Sequence, residues 1–283
     1  MKTYTQGFFT GERALYNSHG IEIVDSTFAD GESPLKESSE LLLSGCIFKW
    51  KYPLWYSKNI KANDCVLLET ARSGIWYTEN IEMTDCVIEA PKTFRRASDI
   101  KLINCTLPNA QETFWGCKYI NLTDVSAKGD YFAMNAENIK AENLTIHGNY
   151  AFDGAKNIEI RGARLISKDA FWNSENVTVY DATIIGEYLG WNSKNVTFVN
   201  CTIESNQGLC YMDNVKLVNC KLLNTDLAFE FSTVDAEVTT EIDSVKNPIA
   251  GKIAAKRIKE LILDESLVDV TTTELKTEEK IHL

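Results

Sequence analysis

Apolar and polar residues alternate along this chain in a motif that recurs about every 19 residues. Each copy reads Asn, aliphatic, any residue, apolar, any residue, then Asp, Asn or Gly, and finally a small residue. Seven asparagines mark it most clearly: Asn59, Asn80, Asn138, Asn157, Asn176, Asn195 and Asn214. A period this short and regular is typical of a chain wound into similar coils, and not of a globule with one core.

With the asparagine as position zero, the motif occurs twelve times and covers most of the chain. The position-zero residues are Gly20, Glu40, Asn59, Asn80, Asp99, Tyr119, Asn138, Asn157, Asn176, Asn195, Asn214 and Thr233. An aliphatic residue always follows, and a second apolar position comes two residues later, as in a strand with one buried face. The pattern therefore predicts that one set of isoleucines points inward and stacks from turn to turn: Ile60, Ile81, Ile100, Ile139 and Ile158.

A corner is predicted five residues after position zero, where Asp, Asn or Gly stands in eleven of the twelve repeats. These residue types adopt a left-handed backbone at low steric cost. The corner residues include Asp64, Asp85, Asn104, Asn143, Gly162 and Asn219. A small residue and then a large aliphatic residue follow and predict a second short strand. A further inward position, five residues before the next position zero, predicts a third.

Three short strands per turn of 19 to 21 residues predict an all-β fold, a single-stranded right-handed parallel β-helix of about 12 turns. Leucine-rich repeats have a similar length, but they need a regular Leu-x-x-Leu-x-Leu frame and a helical segment, neither of which we find here. We expect a single domain over residues 1–283. Its expected parts are an N-terminal cap at 1–19, coils at 20–245, and a C-terminal cap and tail at 246–283.

The charge balance excludes one class of partner. The formal net charge is −11, with only 29 Lys and Arg residues, whereas nucleic-acid backbones are bound mainly by basic residues. No run of apolar residues approaches the length of a transmembrane helix, and the first ten residues lack the apolar stretch of a signal peptide. We therefore expect a soluble cytoplasmic protein without a nucleic-acid or membrane partner.

Eight cysteines raise the question of a metal site or disulfides. Six of them occupy the small position just after the corner, where a reduced thiol packs as a small hydrophobic group. No Cys-x-x-Cys spacing is present, and His19, His147 and His282 are scattered. The sequence therefore predicts no metal or cofactor and no Ser-His-Asp triad.

Candidate binding residues occupy the outward positions of the third side, because the inward ones are used for packing. Five of the six tryptophans stand four residues before position zero, together with Arg95 and Asp153. Aromatic rings with nearby amide, carboxylate and guanidinium groups are typical of saccharide-binding surfaces. The predicted binding set is Trp76, Arg96, Trp115, Tyr131, Asn135, Tyr150, Trp172, Asn173, Tyr188, Trp191 and Asn192.

Two interpretations of this aromatic face stay open. It can bind a saccharide or another small polar ligand, or it can be a scaffold surface covered by the C-terminal segment or by a second subunit of a homo-oligomer. The placement of Arg95 and Arg96 between Trp76 and Trp115 favours a ligand groove. Trp172 and Trp191 should then lie about one strand spacing, roughly 4.8 Å, apart.

The sequence also leaves open whether the protein is an enzyme. If it is one, we expect a hydrolase or lyase that acts on a saccharide. Asp153 is the first candidate carboxylate, Asp169 or Asp130 the second, and Arg95 or Arg96 the clamp for a developing negative charge. Turns of nearly constant length leave no long loops to wall a deep cleft. The sequence thus favours binding, or a weakly guarded hydrolase, over a deep-cleft lyase.

Several ordered blocks resemble the bacterial family DUF3737. The blocks are 30–37, 50–56, 90–96, 129–135, 148–154, 169–173 and 186–192. The resemblance runs over essentially the whole chain and implies a pectin-lyase-like right-handed β-helix. It implies no activity, and the calcium-binding or aspartate clusters of pectate lyases and polygalacturonases do not occur here as local motifs.

Overall fold

The computed structural model describes residues 2–278. The chain forms two compact units, an N-terminal unit, Met1–His147, and a C-terminal unit, Gly148–Leu283. The predicted position of His282 and the last residues of the predicted tail lie outside the described residues.

Strands make up nearly all regular structure of the N-terminal unit. They are β1 (Lys2–Thr5), β2 (Phe8–Phe9), β3 (His19–Val24), β4 (Thr27–Phe28), β5 (Ser39–Ser44), β6 (Ile47–Phe48), β7 (Lys58–Asn63), β8 (Val66–Leu67), β9 (Ile75–Trp76), β10 (Glu79–Thr84), β11 (Val87–Ile88), β12 (Phe94–Arg95), β13 (Ser98–Ile103), β14 (Thr106–Leu107), β15 (Lys118–Thr123), β16 (Ser126–Lys128), β17 (Glu137–Glu142) and β18 (Thr145–His147). One short 3-10 helix, Glu69–Ala71, follows β8.

The strands of the C-terminal unit are β19 (Lys156–Arg161), β20 (Arg164–Ile166), β21 (Glu175–Tyr180), β22 (Thr183–Ile185), β23 (Lys194–Val199), β24 (Thr202–Glu204), β25 (Asp213–Leu223), β26 (Thr233–Val238), β27 (Glu241–Lys246), β28 (Ala250–Ala255), β29 (Arg257–Ile262) and β30 (Thr273–Thr277). In both units each strand pairs in parallel with the equivalent strand of the next turn. The predicted parallel β-helix is confirmed.

The inward columns follow the predicted register. Ile81 pairs with Ile60 on one side and Ile100 on the other, and all three are buried. Ile139 and Ile158 are buried as well. Phenylalanines fill the third inward column, where Phe152 and Phe171 stack at 5.1 Å with an interplanar angle of 7°. The core of each unit is thus a set of side-chain columns, because equal positions on successive turns lie one strand spacing apart.

The corner prediction is confirmed. All eleven Asp, Asn and Gly residues at the fifth position are left-handed, with φ between 48° and 66°. The Asn side chains at this position also donate to the Asp or Asn side chain of the preceding turn, as where Asn104 Nδ2 donates to Asp85 Oδ1 at 2.6 Å. Position zero is left-handed too, for example at Asn59 and Asn195. Asparagine recurs there because it tolerates this backbone and its amide can bond to the turn before it, as Asn195 Nδ2 does to Asn176 Oδ1.

The predicted third strand is present only in part. Within the described residues it comprises β9 and β12, which pair with each other, and isolated bridges between Arg95 and Trp115 and between Ala228 and Val245 of β27, which pairs in turn with β29. Elsewhere the third side consists of tight turns, in which left-handed residues such as Tyr150 and Phe152 interrupt the extended backbone.

The number of turns is larger than predicted. The ladder that contains position zero has eight strands within residues 2–147 and seven within 148–278, so fifteen turns replace the expected twelve or so. The additional turns come from β1, β28 and β30, whose sequences lack the asparagine motif. Parallel ladders are made by backbone groups, so a segment can join the coil without the side-chain signature.

Candidate functional site

The predicted binding residues lie on the third side in three columns, defined by equal positions on successive turns. The tryptophan column contains Trp55, Trp76, Arg95 and Trp115 in the N-terminal unit and Asp153, Trp172 and Trp191 in the C-terminal unit. The amide column, one residue later, contains Arg96, Gly116 and Asn135, and then Gly154, Asn173 and Asn192. The tyrosine column, three residues before the tryptophan column, contains Lys92, Glu112 and Tyr131, and then Tyr150, Asp169 and Tyr188.

Arg95 is fixed by its neighbours in the N-terminal unit. Its guanidinium carbon lies 4.7 Å from the ring centroid of Trp76 and 4.7 Å from that of Trp115. Its Nη2 atom donates to Glu112 Oε2 at 2.9 Å, and Lys92 Nζ lies 3.0 Å from Oε1 of the same glutamate. Cation–π contacts on both faces and a half-buried ion pair therefore hold Arg95 as part of the column.

Ring faces in this part of the tryptophan column are covered. Trp55 and Trp76 stack with centroids 5.3 Å apart and planes 9° from parallel, and Arg95 lies on Trp76 from the other side. The indole N–H of Trp76 donates to the carbonyl of Lys92 at 2.8 Å. A sugar needs an open ring face for stacking, so Trp76 offers it only an edge.

Three other predicted residues of this unit lie outside the stack formed by Arg95 and the tryptophan rings. Arg96 and Asn135 are exposed in the amide column, and Tyr131 is half-buried in the tyrosine column. None of them takes part in the ion pairs between Arg95, Lys92 and Glu112. The two adjacent arginines therefore differ, since Arg95 is part of the packing and Arg96 faces solvent.

The C-terminal unit arranges its tryptophans differently. Trp172 and Trp191 are half-buried, with centroids 5.8 Å apart and planes inclined by 49°. Their spacing is about 1 Å longer than the predicted strand spacing of roughly 4.8 Å. Tyr150 lies 6.5 Å from Trp172, and Tyr188 meets Trp191 edge to face at 5.1 Å. The inclination leaves the faces of Trp172 and Trp191 only partly covered by each other.

A short polar ladder runs beside these rings. Asn192 Nδ2 donates to Asn173 Oδ1 at 2.7 Å, and Asn173 Nδ2 donates to Asp153 Oδ1 at 3.3 Å. A carboxylate can only accept, so Asp153 orients both amides in the same direction. The structure thus brings Asp153, Asn173, Asn192 and the two tryptophans onto one surface.

Two carboxyl groups of this surface are weaker acids than usual. Burial raises the pKa of Asp153, against a smaller lowering by the hydrogen bond from Asn173. Burial also raises the pKa of Asp169, with smaller lowering effects from Lys168 and from a hydrogen bond donated by Tyr150. Asp169 is only 1% exposed, and its Oδ1 has no hydrogen-bond partner within the described part of the chain. An ionised carboxylate in that position is costly.

Comparison with protein families decides the relationship of the chain. The profile of the family "Protein of unknown function (DUF3737)" matches residues 2–276. The chain belongs to the DUF3737 family. A comparison of this DUF3737 sequence with curated proteins gives no match.

Solved structures show distant likenesses to this DUF3737 chain. The mannuronan C-5 epimerase AlgE4 A-module of Azotobacter vinelandii is 9% identical, with 99% of this chain and 88% of that chain covered and a TM-score of 0.31. A catalytic domain of a GH87 α-1,3-glucanase in complex with tetrasaccharides is 10% identical, with 99% and 64% covered and a TM-score of 0.25. The fluoroquinolone resistance protein QnrB1 is 17% identical, with 78% and 92% covered and a TM-score of 0.25. Likenesses of this strength carry no argument about function.

Three contributors to the aromatic surface of the DUF3737 chain were not among the predicted binding residues. Glu112 neutralises Arg95, Tyr211 packs on Trp191 with centroids 4.9 Å apart, and the carbonyl of Gln207 accepts the indole N–H of Trp191. Glu112 and Gln207 stand in the tyrosine column, so the repeat register placed them on this side. Their partners were not evident because a column position does not show which way a long side chain turns.

The cysteines of the DUF3737 chain are all buried and free. Cys65 and Cys86 stack as expected, with the Cys65 N–H 3.4 Å from Cys86 Sγ. Burial raises the pKa of both Cys117 and Cys210 to about 12, which disfavours a reactive thiolate. Over residues 2–278, no group of three or more His, Cys, Asp or Glu side chains is arranged to hold a metal ion. The same residues contain no helix with the length and apolar content needed to cross a membrane.

Proposed function

We propose that the C-terminal unit binds a saccharide on the surface formed by Trp172, Trp191, Asp153, Asn173 and Asn192. The observation that carries the proposal is the 49° inclination between the two indole rings next to the polar ladder. Partly open ring faces accept the C–H face of a sugar, and neighbouring amide and carboxylate groups bond to its hydroxyls.

Trp172 is the principal contact in this proposal. The indole N–H groups of Trp76 and Trp191 donate to backbone carbonyls. That of Trp172 has no hydrogen-bond partner among the described residues. It is therefore available to a ligand oxygen, and among residues 2–278 its ring–ring contacts are the inclined ones with Tyr150 and Trp191.

The geometry favours binding over cleavage. A glycosidase needs a carboxylic acid that can reach the glycosidic oxygen. Asp169 has the raised pKa of such an acid, but it is almost completely buried. The pKa of the half-buried Asp153 is raised too, but its Oδ1 already accepts from Asn173, which suits a hydroxyl-binding role. We therefore assign Asp153 to ligand contact and Asp169 to support beneath the surface.

The proposal is tested by titrating the protein with glucose, galactose, mannose and their β-1,4-linked disaccharides. Calorimetry and tryptophan fluorescence measure the binding. We expect millimolar or tighter binding of at least one sugar, and at least a tenfold loss in the Trp172→Ala variant. Trp115→Ala is the matched control, since Trp115 is also half-buried and holds the same column position in the other unit.

Two results would contradict the proposal. One is equal binding by wild type, Trp172→Ala and Trp115→Ala; the other is no binding of any sugar in the panel. Sedimentation of the same variants examines the alternative, a subunit interface. A wild-type dimer that becomes monomeric only in Trp172→Ala would identify the surface as a contact between copies of this chain.

A further inference from the structure

The amide column of the N-terminal unit lacks one side chain. Arg96, Gly116 and Asn135 hold equal positions on three successive turns, because Arg96 N–H donates to the carbonyl of Trp115 and Gly116 N–H to that of Met134. On the two turns that precede Arg96, the same column is filled by Tyr56 and Tyr77, stacked at 4.8 Å. Because Gly116 has no side chain, the column has a gap between the side chains of Arg96 and Asn135.

The space above Gly116 is open. A β-carbon built on Gly116 would lie no closer than 3.8 Å to another group, and the atom at that distance is Cγ of Arg96. Two turns of the coil span about 9.6 Å. After the side chains of Arg96 and Asn135 are allowed for, the remaining space can hold one small planar group. We call this space the Gly116 notch.

The groups beside the Gly116 notch are hydrogen-bond donors. Arg96 is exposed, and its guanidinium has no ion-pair or hydrogen-bond partner among residues 2–278. The same holds within that range for the amide of Asn135. Glu112, which lies on the same side of the coil, is paired with Arg95 and Lys92.

We propose that the Gly116 notch binds an oxyanion group of a small ligand, either the carboxylate of a sugar acid or the phosphate of a sugar phosphate. Arg96 supplies the charge and a planar pair of N–H donors, the geometry that matches such groups. Asn135 supplies neutral donors. This site lies in the N-terminal unit and does not rest on the sugar-binding surface proposed for the C-terminal unit.

Arg95 shows why the neighbouring arginine is the binding residue. Both carry the same charge, but the guanidinium of Arg95 lies between two indole rings and is paired with Glu112. Reaching a ligand would break three contacts. Arg96 would break no such contact. In a chain of net charge −11 it offers an unneutralised cation beside the Gly116 notch.

The test uses the full chain and four probes: glucuronate, glucose 6-phosphate, inorganic phosphate and glucose. Binding is measured by calorimetry at low and high salt. We expect the three anions to bind and glucose not to bind at this site, with affinity falling as salt rises. Comparison of glucuronate with the two phosphates identifies which oxyanion the notch prefers.

Two variants isolate the notch. Arg96→Gln removes the charge, and Gly116→Asn fills the layer. Asparagine tolerates the φ of +62° found at Gly116 and already stands at this position in the turns of Asn135, Asn173 and Asn192. Each variant should lower anion affinity at least tenfold with little change in melting temperature. Arg72→Gln, at an exposed arginine outside the column, is the control and should bind like wild type.

Three outcomes would overturn the inference: no anion binding by wild type, equal loss in Arg72→Gln, or full binding by Gly116→Asn. The last would show that Arg96 attracts anions without the notch. Because the probes act through Arg96 and Gly116, failure here leaves the Trp172 titrations unaffected, and the two proposals can be judged separately.

Discussion

Arg95 Nη2 lies 2.9 Å from Glu112 Oε2, with both side chains about three-quarters buried. Arg95 also lies between Trp76 and Trp115, so it belongs to a continuous stack of rings and a cation. A charged residue in an aromatic column therefore has a structural explanation: it contributes packing and charge pairing at once.

Glu112→Gln should lower the free energy of unfolding by about 1–2 kcal/mol, because the half-buried Arg95 loses its counter-charge. Urea denaturation measures the change. In the control, Glu79→Gln removes the partner of Lys58 in an exposed pair and should change stability by less than about 1 kcal/mol. Equal effects of the two substitutions would show that Arg95 is stabilised by its rings alone.

Asp169 should make stability depend on pH. Its folded pKa is raised by burial, so the folded state holds the proton more tightly than the unfolded chain. Stability is then highest below the unfolded pKa, falls as pH rises from there through the folded pKa, and stays reduced above it. Asp169→Asn should flatten this fall in unfolding free energy as the pH rises above the unfolded pKa of an aspartate, about 3.9.

The matched control is Asp213→Asn, at an exposed aspartate, compared by denaturation at the same pH values. Tyr150, Lys168, Glu187 and Asp153 also influence Asp169, so the variant is compared with wild type at constant ionic strength. An unchanged pH slope in Asp169→Asn would mean that the buried carboxyl does not control it.

At a corner position, an alanine substitution should destabilise the protein more than a glycine substitution. Asn219 has a φ of 51° and donates to Asn200 Oδ1 at 2.9 Å. Asn219→Ala and Asn219→Gly both lose this bond, but only alanine incurs the left-handed steric cost. We expect the alanine variant to be less stable by about 1 kcal/mol, after allowing for the larger unfolded-state entropy of glycine. Thermal denaturation of the two variants side by side is sufficient, and a more stable alanine variant would argue against the left-handed corner.

Trp191 and Trp172 should differ in their effects on stability. Trp191 contacts Tyr188, Tyr211 and Trp172, and its N–H bonds to Gln207. Trp172 has fewer such contacts. Trp191→Ala should therefore lower unfolding free energy by about 2–3 kcal/mol and Trp172→Ala by about 1 kcal/mol. Chemical denaturation of both variants measures this, and the reverse order would show that the ring of Trp172 is the one that supports the fold.

The sequence alone determined the parallel β-helix, the inward isoleucines and the left-handed corners. It could do so because every coil contains the same local structure. A strand with one buried face and a turn that tolerates Asp, Asn or Gly leave the same trace each time, and repetition separates that trace from chance. The sequence undercounted the turns, since β1, β28 and β30 join the coil through backbone bonds that leave no side-chain signature.

The repeat register also placed Trp76, Arg95, Trp172 and Asp169 on the third side, but only the tertiary structure decided what each does there. Trp172 and Trp191 are inclined by 49° whereas Trp55 and Trp76 are nearly parallel, although all four hold the same position in the repeat. Asp169 is buried beneath that surface, and Arg95 is neutralised by Glu112 while Arg96 is exposed. These differences arise from contacts between side chains on neighbouring turns. The sequence fixes which residues become neighbours, but ring angles, burial and charge pairing depend on how those side chains pack against one another.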